Sequence, residues 1–479
     1  MLVFDNRAEE FGTMDSAPVI KNFLGQRVRV ISGKLRVLSV SKEKVQITVQ
    51  SSKVVKPAYG ACSPPTETKS IPLSVFDTVT YNNHVSGIYY FHPPVLPNAE
   101  MGLAEAMAVY REWAGRLGTD VNGNRAILLN DAGAWFVEAI ADVALSSIDP
   151  LEPLPELLSL CPSGNNREEL MLVQVTLFTC GSFTVGTTAH HVVADGLGRC
   201  SFMLAWGEAA RGIAIDPVLL HDRVSVFAPR NPPRVQFEHR GVEFKPRNEV
   251  SNIKTSESNG NVAVHTVHFT PEMVSKLKSR ASVGAPRPYS SLQCVTAHLW
   301  RCITKARGLD RDKLTKVKIA VNGRPRMRNP RVPEDYAGNV VLWAQPTTRA
   351  GELLGKPLQC TVELISRAVS RMDDSYFRSF IDFATSEAME KEGLVPTETL
   401  VGCPDIFVSN LKGIPMFDLD FGTGRPFLFT RSHPPWEGYV FIMPPLCNDG
   451  SMDVQVTLFS HAMNIFKDCC YSLEAADVE

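Results

Sequence analysis

The sequence lacks several features that define other classes of protein. Lys and Arg number 49 against 51 Asp and Glu in 479 residues, so the chain has no net positive charge to attract a polyphosphate backbone. It contains no run of eighteen or more apolar residues and no basic segment followed by an apolar stretch at the N-terminus. We therefore expect no nucleic-acid partner, no membrane span and a cytoplasmic location.

The cysteines do not follow the spacing of a disulfide-rich or zinc-binding protein. The 11 cysteines are scattered, Cys469 and Cys470 are adjacent, and no pair of CxxC units occurs. This spacing favours neither a disulfide framework nor a zinc ribbon, and it is typical of reduced thiols in the cytosol. Repeats of 20 to 50 residues and low-complexity tracts are also missing, which argues against a solenoid.

What the sequence does contain is the composition of a folded α/β protein. Apolar residues make up 44% and charged residues 21%, and the length allows about two or three domains. Strand-like and helix-like patterns alternate along the chain. We predict a disordered N-terminal extension at 1–43, a first domain at 44–236, a crossover linker at 237–261 and a second domain at 262–479.

Individual elements can be assigned within these domains. Apolar residues at helical spacing predict a helix over Leu103–Leu117. Two runs rich in β-branched residues, Leu170–Phe178 and Phe183–Ala189, predict a hairpin. In the second domain we expect a strand at Val262–Phe269 and a helix that begins at Ser290 or Ser291 and ends at Arg307.

The strongest local motif is HHVVADG at residues 190–196, where the second hairpin strand meets a predicted helix. Histidine titrates near neutral pH, so His191 could take a proton from a nucleophile and return it to a leaving group. Asp195 could either touch the histidine or hold the turn, and Gly196 permits a sharp bend. A metal site is not expected, because His190, His191 and Asp195 supply at most three ligands.

A second motif, DFGTGRP, lies at residues 420–426. Alone it could be a tight turn in which Gly422 and Gly424 supply positive φ, with Asp420 as a turn residue. It is not a kinase signature, because no HRD loop or phosphate-binding glycine loop precedes it. An HxxxD motif in one domain and this motif in the other are far more specific together than either is alone.

With these two motifs the sequence resembles the BAHD family of plant coenzyme A-dependent acyltransferases, over about Lys44–Leu473. Other family-like segments follow in the expected order: LSVFD at 73–77, AGRL at 114–117, SS at 290–291, LWR at 299–301, VNGRPR at 321–326 and YAGN at 336–339. The resemblance implies an α/β fold of two similar chloramphenicol acetyltransferase-like domains. Each would have a mixed sheet flanked by helices, and a long crossover would join them around a solvent channel.

The resemblance also implies roles for the motif residues. His191 would be the catalytic base, and Asp195, its motif partner, would hold the loop through an arginine. Asp420 would pair with Arg324 or Arg326 of the VNGRPR segment. Ser290 and Ser291 would lie close to coenzyme A, together with the backbone near Gly422. Thr423 stands where the family commonly has Trp, so no aromatic role is expected there.

Acyl-coenzyme A would then be a co-substrate of a monomeric enzyme, with no permanently bound cofactor or metal. Within the family the chain is most similar to the monocot amine N-hydroxycinnamoyltransferases, the agmatine coumaroyltransferase group, in segments such as SSKVVKP at 51–57 and CCYSL at 469–473. The acyl group would be hydroxycinnamoyl or benzoyl. The likeness favours an amide product.

The sequence says less about the acceptor than about the type of reaction. In relatives that accept agmatine, acidic residues lie shortly before the DFG motif, whereas here Asp405 is the one acidic residue in the comparable stretch and Phe407 offers apolar surface. These residues predict an arylalkylamine such as tryptamine or tyramine. The alternatives are that Phe407 only fills the core, that agmatine or putrescine is the acceptor, or that an alcohol is acylated.

Two rival interpretations remain. Peptide-synthetase condensation domains and chloramphenicol acetyltransferases also carry HHxxxDG, but DFGTGRP favours the plant family. A relative that keeps the fold without activity is the second rival, and the presence of His191 argues against it.

Overall fold

The computed structural model describes residues 19–21, 27–31, 34–37, 45–60, 64–65, 68–94, 98–148, 155–216, 222–250, 261–397, 402–432, 436–445 and 449–472. The strands are β1 Val19–Lys21, β2 Arg27–Ile31, β3 Lys34–Val37, β4 Ile47–Val55, β5 Lys69–Pro72, β6 His84–Phe91, β7 Arg116–Thr119, β8 Arg125–Leu129, β9 Ala134–Ala141, β10 Met171–Phe178, β11 Phe183–His190, β12 Phe244–Pro246, β13 Val262–Phe269, β14 Leu314–Asn322, β15 Val341–Ala344, β16 Thr347–Arg349, β17 Leu394–Pro396, β18 Ile406–Asn410, β19 Leu428–Arg431, β20 Tyr439–Ile442 and β21 Met452–Phe459.

The helices lie between these strands. They are α1 Val75–Val79, α2 Ala99–Val109, α3 Pro155–Leu158, α4 Gly196–Ala210, α5 Arg223–Val226, α6 Arg247–Val250, α7 Pro271–Ala281, α8 Ser291–Ala306, α9 Ala350–Gly355, α10 Leu358–Arg371, α11 Asp374–Ala384, α12 Glu387–Lys391 and α13 Ser460–Cys469. Short 3₁₀ turns occupy Arg111–Ala114, Leu145–Ser147 and Met416–Asp418. None of the described helices is both long enough and apolar enough to span a bilayer.

Two large mixed sheets form the scaffold. The first has the strand order β19-β6-β11-β10-β9-β4, and the second has the order β13-β21-β20-β18-β14-β15, with β16 also paired to β14. Parallel and antiparallel pairs occur in both, as for β10 with β9 and β10 with β11. The architecture is the predicted α/β fold with two sheets flanked by helices.

The second sheet has two different faces, and this difference positions the site. Val440 and Ile442 of β20 point into the core that the sheet forms with helices such as α8, α10 and α13. Tyr439 and Phe441 belong instead to the core of the first half of the chain. Because successive side chains of a strand point to opposite faces, the second sheet presents one face to the first half.

Strand β19 belongs to the second half of the chain but is hydrogen-bonded into the first sheet. It pairs antiparallel with β6, with Leu428 opposite Tyr90 and Arg431 opposite Gly87. The division at 44–236 and 262–479 did not anticipate this exchange. A four-residue strand carries no signal for its partner, because pairing is decided by long-range contacts.

The local predictions for the HxxxD region are confirmed. β10 and β11 form the expected hairpin, and α4 begins directly after the motif. The strand and helix expected after residue 262 appear as β13 and α8.

The helix predicted over Leu103–Leu117 was too long. α2 ends at Val109, and the chain continues as a 3₁₀ turn and then as β7. A Cβ on Gly115 would lie 2.5 Å from the carbonyl oxygen of Leu128, so the chain is extended here to pass close to β8. Tertiary contact thus overrides the helical pattern.

The predicted extension at 1–43 lies largely outside the described residues. Within it, the described strands β1, β2 and β3 pair with one another as a small antiparallel sheet. The predicted linker at 237–261 contains β12, which pairs with β17, and its residues 251–260 are also outside the described part of the chain.

Candidate active site

His191 lies immediately after β11, a strand whose residues are all buried. Its backbone N–H donates to the carbonyl oxygen of Asn83 at 3.0 Å, which fixes where the strand ends. The residue itself is half-buried. The fold therefore places this imidazole on a rigid strand end with part of its surface open to solvent.

One ring nitrogen of His191 is already engaged. Nδ1 lies 3.1 Å from the hydroxyl oxygen of Thr80, at the end of α1. If the hydroxyl accepts, Nδ1 carries the proton and Nε2 is left with a free lone pair. A neutral histidine whose second nitrogen is held in this way is arranged as a general base through Nε2.

Burial also keeps the ring neutral. Desolvation lowers the pKa of His191 below its ordinary value, and the negative charge of Asp195 opposes this effect without reversing it. A base with a lowered pKa is deprotonated at neutral pH. The imidazole is thus ready to accept a proton rather than to donate one.

Replacing Thr80 by valine tests the hydrogen bond to His191. The change preserves shape and removes the hydroxyl, so Nδ1 loses its partner and the ring can adopt the other tautomer. We expect kcat to fall roughly fivefold, since a typical hydrogen bond contributes about 1 kcal/mol. Steady-state kinetics would check this.

Thr78→Val is the matched control, because the Thr78 hydroxyl donates to the carbonyl oxygen of Val75 at 2.8 Å on the same helix. A Thr80→Val enzyme with unchanged kcat and an unchanged pH profile would show that the hydroxyl does not hold the base.

Asp195 has a structural position. One carboxylate oxygen caps α4 by accepting from the N–H groups of Leu197 and Gly198 at 3.2 and 3.1 Å. The other accepts from Arg324 Nη1 at 2.6 Å and from the N–H of Val340 at 3.1 Å. Four contacts use both oxygens, so the carboxylate fixes the motif loop rather than reaching for a proton.

Gly196 allows a close approach at the same point. A Cβ on Gly196 would lie 2.6 Å from Cδ1 of Ile414, a residue that precedes the DFGTG loop. The start of α4 therefore packs directly against the second half of the chain. A side chain at this position would push the two apart.

Sequence reasoning missed a buried network behind the motif. The side-chain N–H₂ of Asn339 donates to Asp77 Oδ1 at 2.9 Å and to the carbonyl oxygens of His191 and Val192, both at 3.0 Å. Asp77 also pairs with Arg223 at 3.1 Å, and both side chains are almost fully buried. The LSVFD and YAGN segments contained these residues, but their sequence gives no sign that they meet.

The DFGTG loop folds around its own aspartate. Asp420 Oδ1 accepts from the N–H groups of Gly422 and Gly424 at 2.7 and 3.1 Å, and both glycines have positive φ, +93° and +91°. Asp420 Oδ2 lies 3.9 Å from Nη1 of Arg211, the C-cap residue that follows α4. The loop is thus a tight turn against α4.

The predicted partner of Asp420 was therefore wrong. Arg324 is committed to Asp195, and Arg326 donates through Nη1 to the carbonyl oxygens of Val369 and Met372, both at 2.9 Å. Arg324 of the VNGRPR segment therefore pairs with the aspartate of the HxxxD motif rather than with that of the DFGTG motif.

Ser290 and Ser291 form the start of α8. The Ser290 hydroxyl accepts from the N–H of Gln293 at 3.2 Å, and the side chain of Gln293 accepts in return from the N–H of Ser290 at 3.0 Å. Ser290 is exposed and Ser291 half-exposed. A capped, exposed helix N-terminus suits a phosphate-bearing ligand.

Asp405 directly precedes β18, and Phe407 lies two residues further along, within that strand. Asp405 Oδ1 accepts from the N–H of Lys316 at 3.0 Å, Oδ2 lies 3.8 Å from Lys316 Nζ, and burial raises the pKa of the carboxyl group. The ring of Phe407 is 5.2 Å from that of Tyr439.

Phe407 is part of a larger group of rings, which we call the aromatic cluster: Tyr81, Phe407, Trp436, Tyr439 and Phe441. The rings of Tyr81 and Trp436 are 5.4 Å apart, and those of Trp436 and Tyr439 are 6.0 Å apart. Tyr81 follows Thr80 directly, so the cluster lies beside the catalytic candidate His191. Tyr81, Phe407 and Trp436 are half-exposed.

These elements define an acyltransferase: two mixed sheets, a half-exposed base at a strand end, and a helix N-terminus and an aromatic surface on the second half of the chain. A family profile described as the Transferase family matches residues 45–473. The chain belongs to this family, the BAHD acyltransferases. It is a coenzyme A-dependent N-acyltransferase.

Two curated relatives are similar over nearly their whole length. Agmatine coumaroyltransferase-1 of Hordeum vulgare is 55% identical, over 90% of this chain and 100% of the relative. Agmatine hydroxycinnamoyltransferase 1 of Oryza sativa subsp. japonica is 54% identical, over 90% of this chain and 99% of the relative. Among solved structures, vinorine synthase has the same fold, with a TM-score of 0.68 at 20% identity, covering 88% of this chain and 96% of that one.

The relatives favour the agmatine or putrescine alternative over the arylalkylamine that we predicted from the sequence. Tryptamine hydroxycinnamoyltransferase 2 of Oryza sativa subsp. japonica is 34% identical to this chain, well below the two agmatine transferases. The comparisons therefore do not support the preference for an aromatic amine that we inferred from Phe407.

Proposed function

We propose that the chain transfers a hydroxycinnamoyl group from coenzyme A to the primary amine of agmatine, with putrescine as a weaker acceptor. The observation that carries this proposal is the 55% identity to an agmatine coumaroyltransferase along its full length. The geometry around His191 is compatible with the chemistry.

The reaction requires one base. Nε2 of His191 takes a proton from the acceptor nitrogen as this nitrogen attacks the thioester carbonyl. The tetrahedral intermediate then collapses, the C–S bond breaks, and the coenzyme thiolate receives the proton. Ser290 and Ser291 at the N-terminus of α8 would hold the coenzyme, and Asp195 would keep the motif loop in place.

Agmatine carries a guanidinium group that must be recognised at a distance from the reacting amine. Asp405 is the candidate, because its carboxylate is partly buried and Oδ2 lies no closer than 3.8 Å to Lys316 Nζ, while Oδ1 accepts from the N–H of Lys316. A guanidinium could form a two-pronged contact with this carboxylate. The aromatic cluster, which includes Phe407 two residues after Asp405, offers ring faces along which a cationic chain can lie.

A panel of acceptors with coumaroyl-coenzyme A tests the assignment. We expect kcat/KM to be highest for agmatine, lower for putrescine, and much lower for tyramine, tryptamine and serotonin. Free thiol and amide product should appear in equal amounts. A preference for an aromatic amine, or for an alcohol, would contradict the proposal.

Asp405→Asn tests the recognition of the guanidinium separately. Loss of the charge should raise KM for agmatine about tenfold or more, because a charge-assisted contact contributes about 1.5–3 kcal/mol. KM for putrescine should change less. Asp468→Asn, at an exposed position on α13, is the matched control. Equal KM values for agmatine in Asp405→Asn and the native enzyme would show that Asp405 does not bind the acceptor.

A further inference from the structure

Arg431 is a cation beside the aromatic cluster that the proposed mechanism does not use. It is the last residue of β19 and lies opposite Gly87 of β6, where the partner strand has no side chain. Its guanidinium carbon is 4.4 Å from the centre of the Phe441 ring. The strand exchange thus brings a positive group from the second half of the chain to the side of the first sheet.

Nothing in the described part of the chain neutralises this group. No carboxylate there forms an ion pair with Arg431, and its Nε is buried without a hydrogen-bond acceptor. Arg199, whose positive charge has the largest effect of any charged group on the pKa of Arg431, is itself held by other acceptors. It donates to the carbonyl oxygens of Val85 and Thr187 at 2.9 and 3.0 Å. A buried donor without an acceptor is costly, so a ligand that supplies an oxygen would relieve the cost.

The charge itself persists at neutral pH. Burial, and then the repulsion of Arg199, lower the pKa of Arg431 to about 10, which leaves the guanidinium protonated. The aromatic cluster connects Arg431 to the surroundings of His191. The Phe441 ring, which lies against Arg431, is 5.9 Å from that of Tyr439, and Trp436 links Tyr439 to Tyr81, the residue after Thr80. A ligand that lies along this cluster can therefore approach both His191 and Arg431.

The surroundings restrict what such a ligand can be. One face of the guanidinium is covered by Phe441, whose ring lies 5.9 Å from that of Tyr439. A flat aromatic group could lie against these rings, and an oxygen at its edge could accept from the guanidinium. Like charge disfavours a cationic amine at this end of the aromatic cluster, so the agmatine chain proposed above would lie along the Phe407 end.

We propose that Arg431 recognises the phenolic oxygen on the aromatic ring of the acyl donor. The enzyme would then select a ring-hydroxylated cinnamoyl group over unsubstituted cinnamoyl and benzoyl groups. This inference rests on the proposed function for the nature of the donor. It identifies a specificity residue that contacts substrate away from the reacting carbonyl.

The test compares 4-coumaroyl- and cinnamoyl-coenzyme A, which differ in one hydroxyl group, in the native enzyme and in Arg431→Met. The native enzyme should prefer the coumaroyl donor in kcat/KM by about tenfold or more, as expected for a hydrogen bond to a charged group. In Arg431→Met, which keeps an unbranched side chain, the ratio should fall to near one. Arg431→Lys keeps the charge without the planar fork and should give an intermediate ratio.

Arg367→Met is the matched control, since the side chain of Arg367 is 78% exposed. It should keep the native donor ratio. The native ratio alone is decisive if Arg431→Met fails to fold, because a native enzyme without preference for the hydroxyl overturns the proposal. An Arg431→Met enzyme with the native ratio also overturns it.

The donor ratio is measured with whichever amine the enzyme accepts. If agmatine is not acylated but the donor ratio depends on Arg431, the proposed acceptor is wrong and this inference stands. If agmatine is acylated and the ratio does not depend on Arg431, the inference fails by itself.

Discussion

His191→Ala should lower kcat by about 10²–10⁴-fold, the usual contribution of a positioned general base. The half-exposed ring is held at Nδ1 by Thr80, and its lowered pKa keeps Nε2 free to accept a proton. Alanine removes the base but leaves β11 and the start of α4 unchanged. The measurement is steady-state release of coenzyme A thiol with saturating acyl donor and amine.

Two controls make the result specific. His461→Ala removes an exposed histidine that stacks on Phe459 and should retain native kcat. Coenzyme A binding to His191→Ala, measured by calorimetry, should be within a few-fold of native. Native turnover in His191→Ala would eliminate the general-base mechanism, whereas loss of both turnover and binding would indicate a collapsed site.

Arg324→Met should be the most destabilising single change considered for the motif region. It leaves the carboxylate of Asp195 buried without its cation, and breaking a buried pair in this way costs about 3–5 kcal/mol. Arg324 also donates to the carbonyl oxygens of Tyr336 and Gly338 at 3.1 and 2.7 Å, and these acceptors lose a partner. Denaturant unfolding followed by tryptophan fluorescence would measure the loss.

The double variant Asp195→Asn with Arg324→Met provides the control. Asparagine still caps a helix, and the uncompensated charge is gone. The double variant should therefore be more stable than the sum of the two single losses predicts. Strictly additive losses would mean that Asp195 and Arg324 do not act as a pair.

The sequence was sufficient for the local parts of the site. The β-branched runs of β10 and β11 and the N-cap aspartate of α4 are signals within a few residues, and they placed His191 at a strand-to-helix junction. The Ser290 cap of α8 is another such local signal. For these elements propensity, patterning and capping agree with the tertiary fold.

The sequence was insufficient where distant segments meet. The resemblance implied Arg324 or Arg326 as the partner of Asp420, although the structure pairs Arg324 with Asp195 and brings Arg211 to Asp420. Both arginines and both aspartates carry the same charges, so sequence alone cannot choose between the pairings. The positions of Thr80 beside His191 and of Arg431 beside Phe441 were missed for a related reason, because these contacts form only through packing between segments that are remote in sequence.

The acceptor was the least predictable property. From Phe407 we predicted an aromatic amine, yet the agmatine transferases are more similar to this chain than the tryptamine transferase is. A single apolar residue on a strand gives no information about whether it faces a substrate or a neighbouring ring. Selectivity depends on the arrangement of several side chains, which a linear pattern does not contain.

A crystal structure of the enzyme with bound coenzyme A tests the central claim most directly, through the distance between Nε2 of His191 and the coenzyme sulfur. We predict that the two atoms lie within hydrogen-bond reach or are bridged by one water, with Nδ1 still on Thr80. A coenzyme sulfur that approaches the protein elsewhere, with His191 closed off from it, would contradict the account.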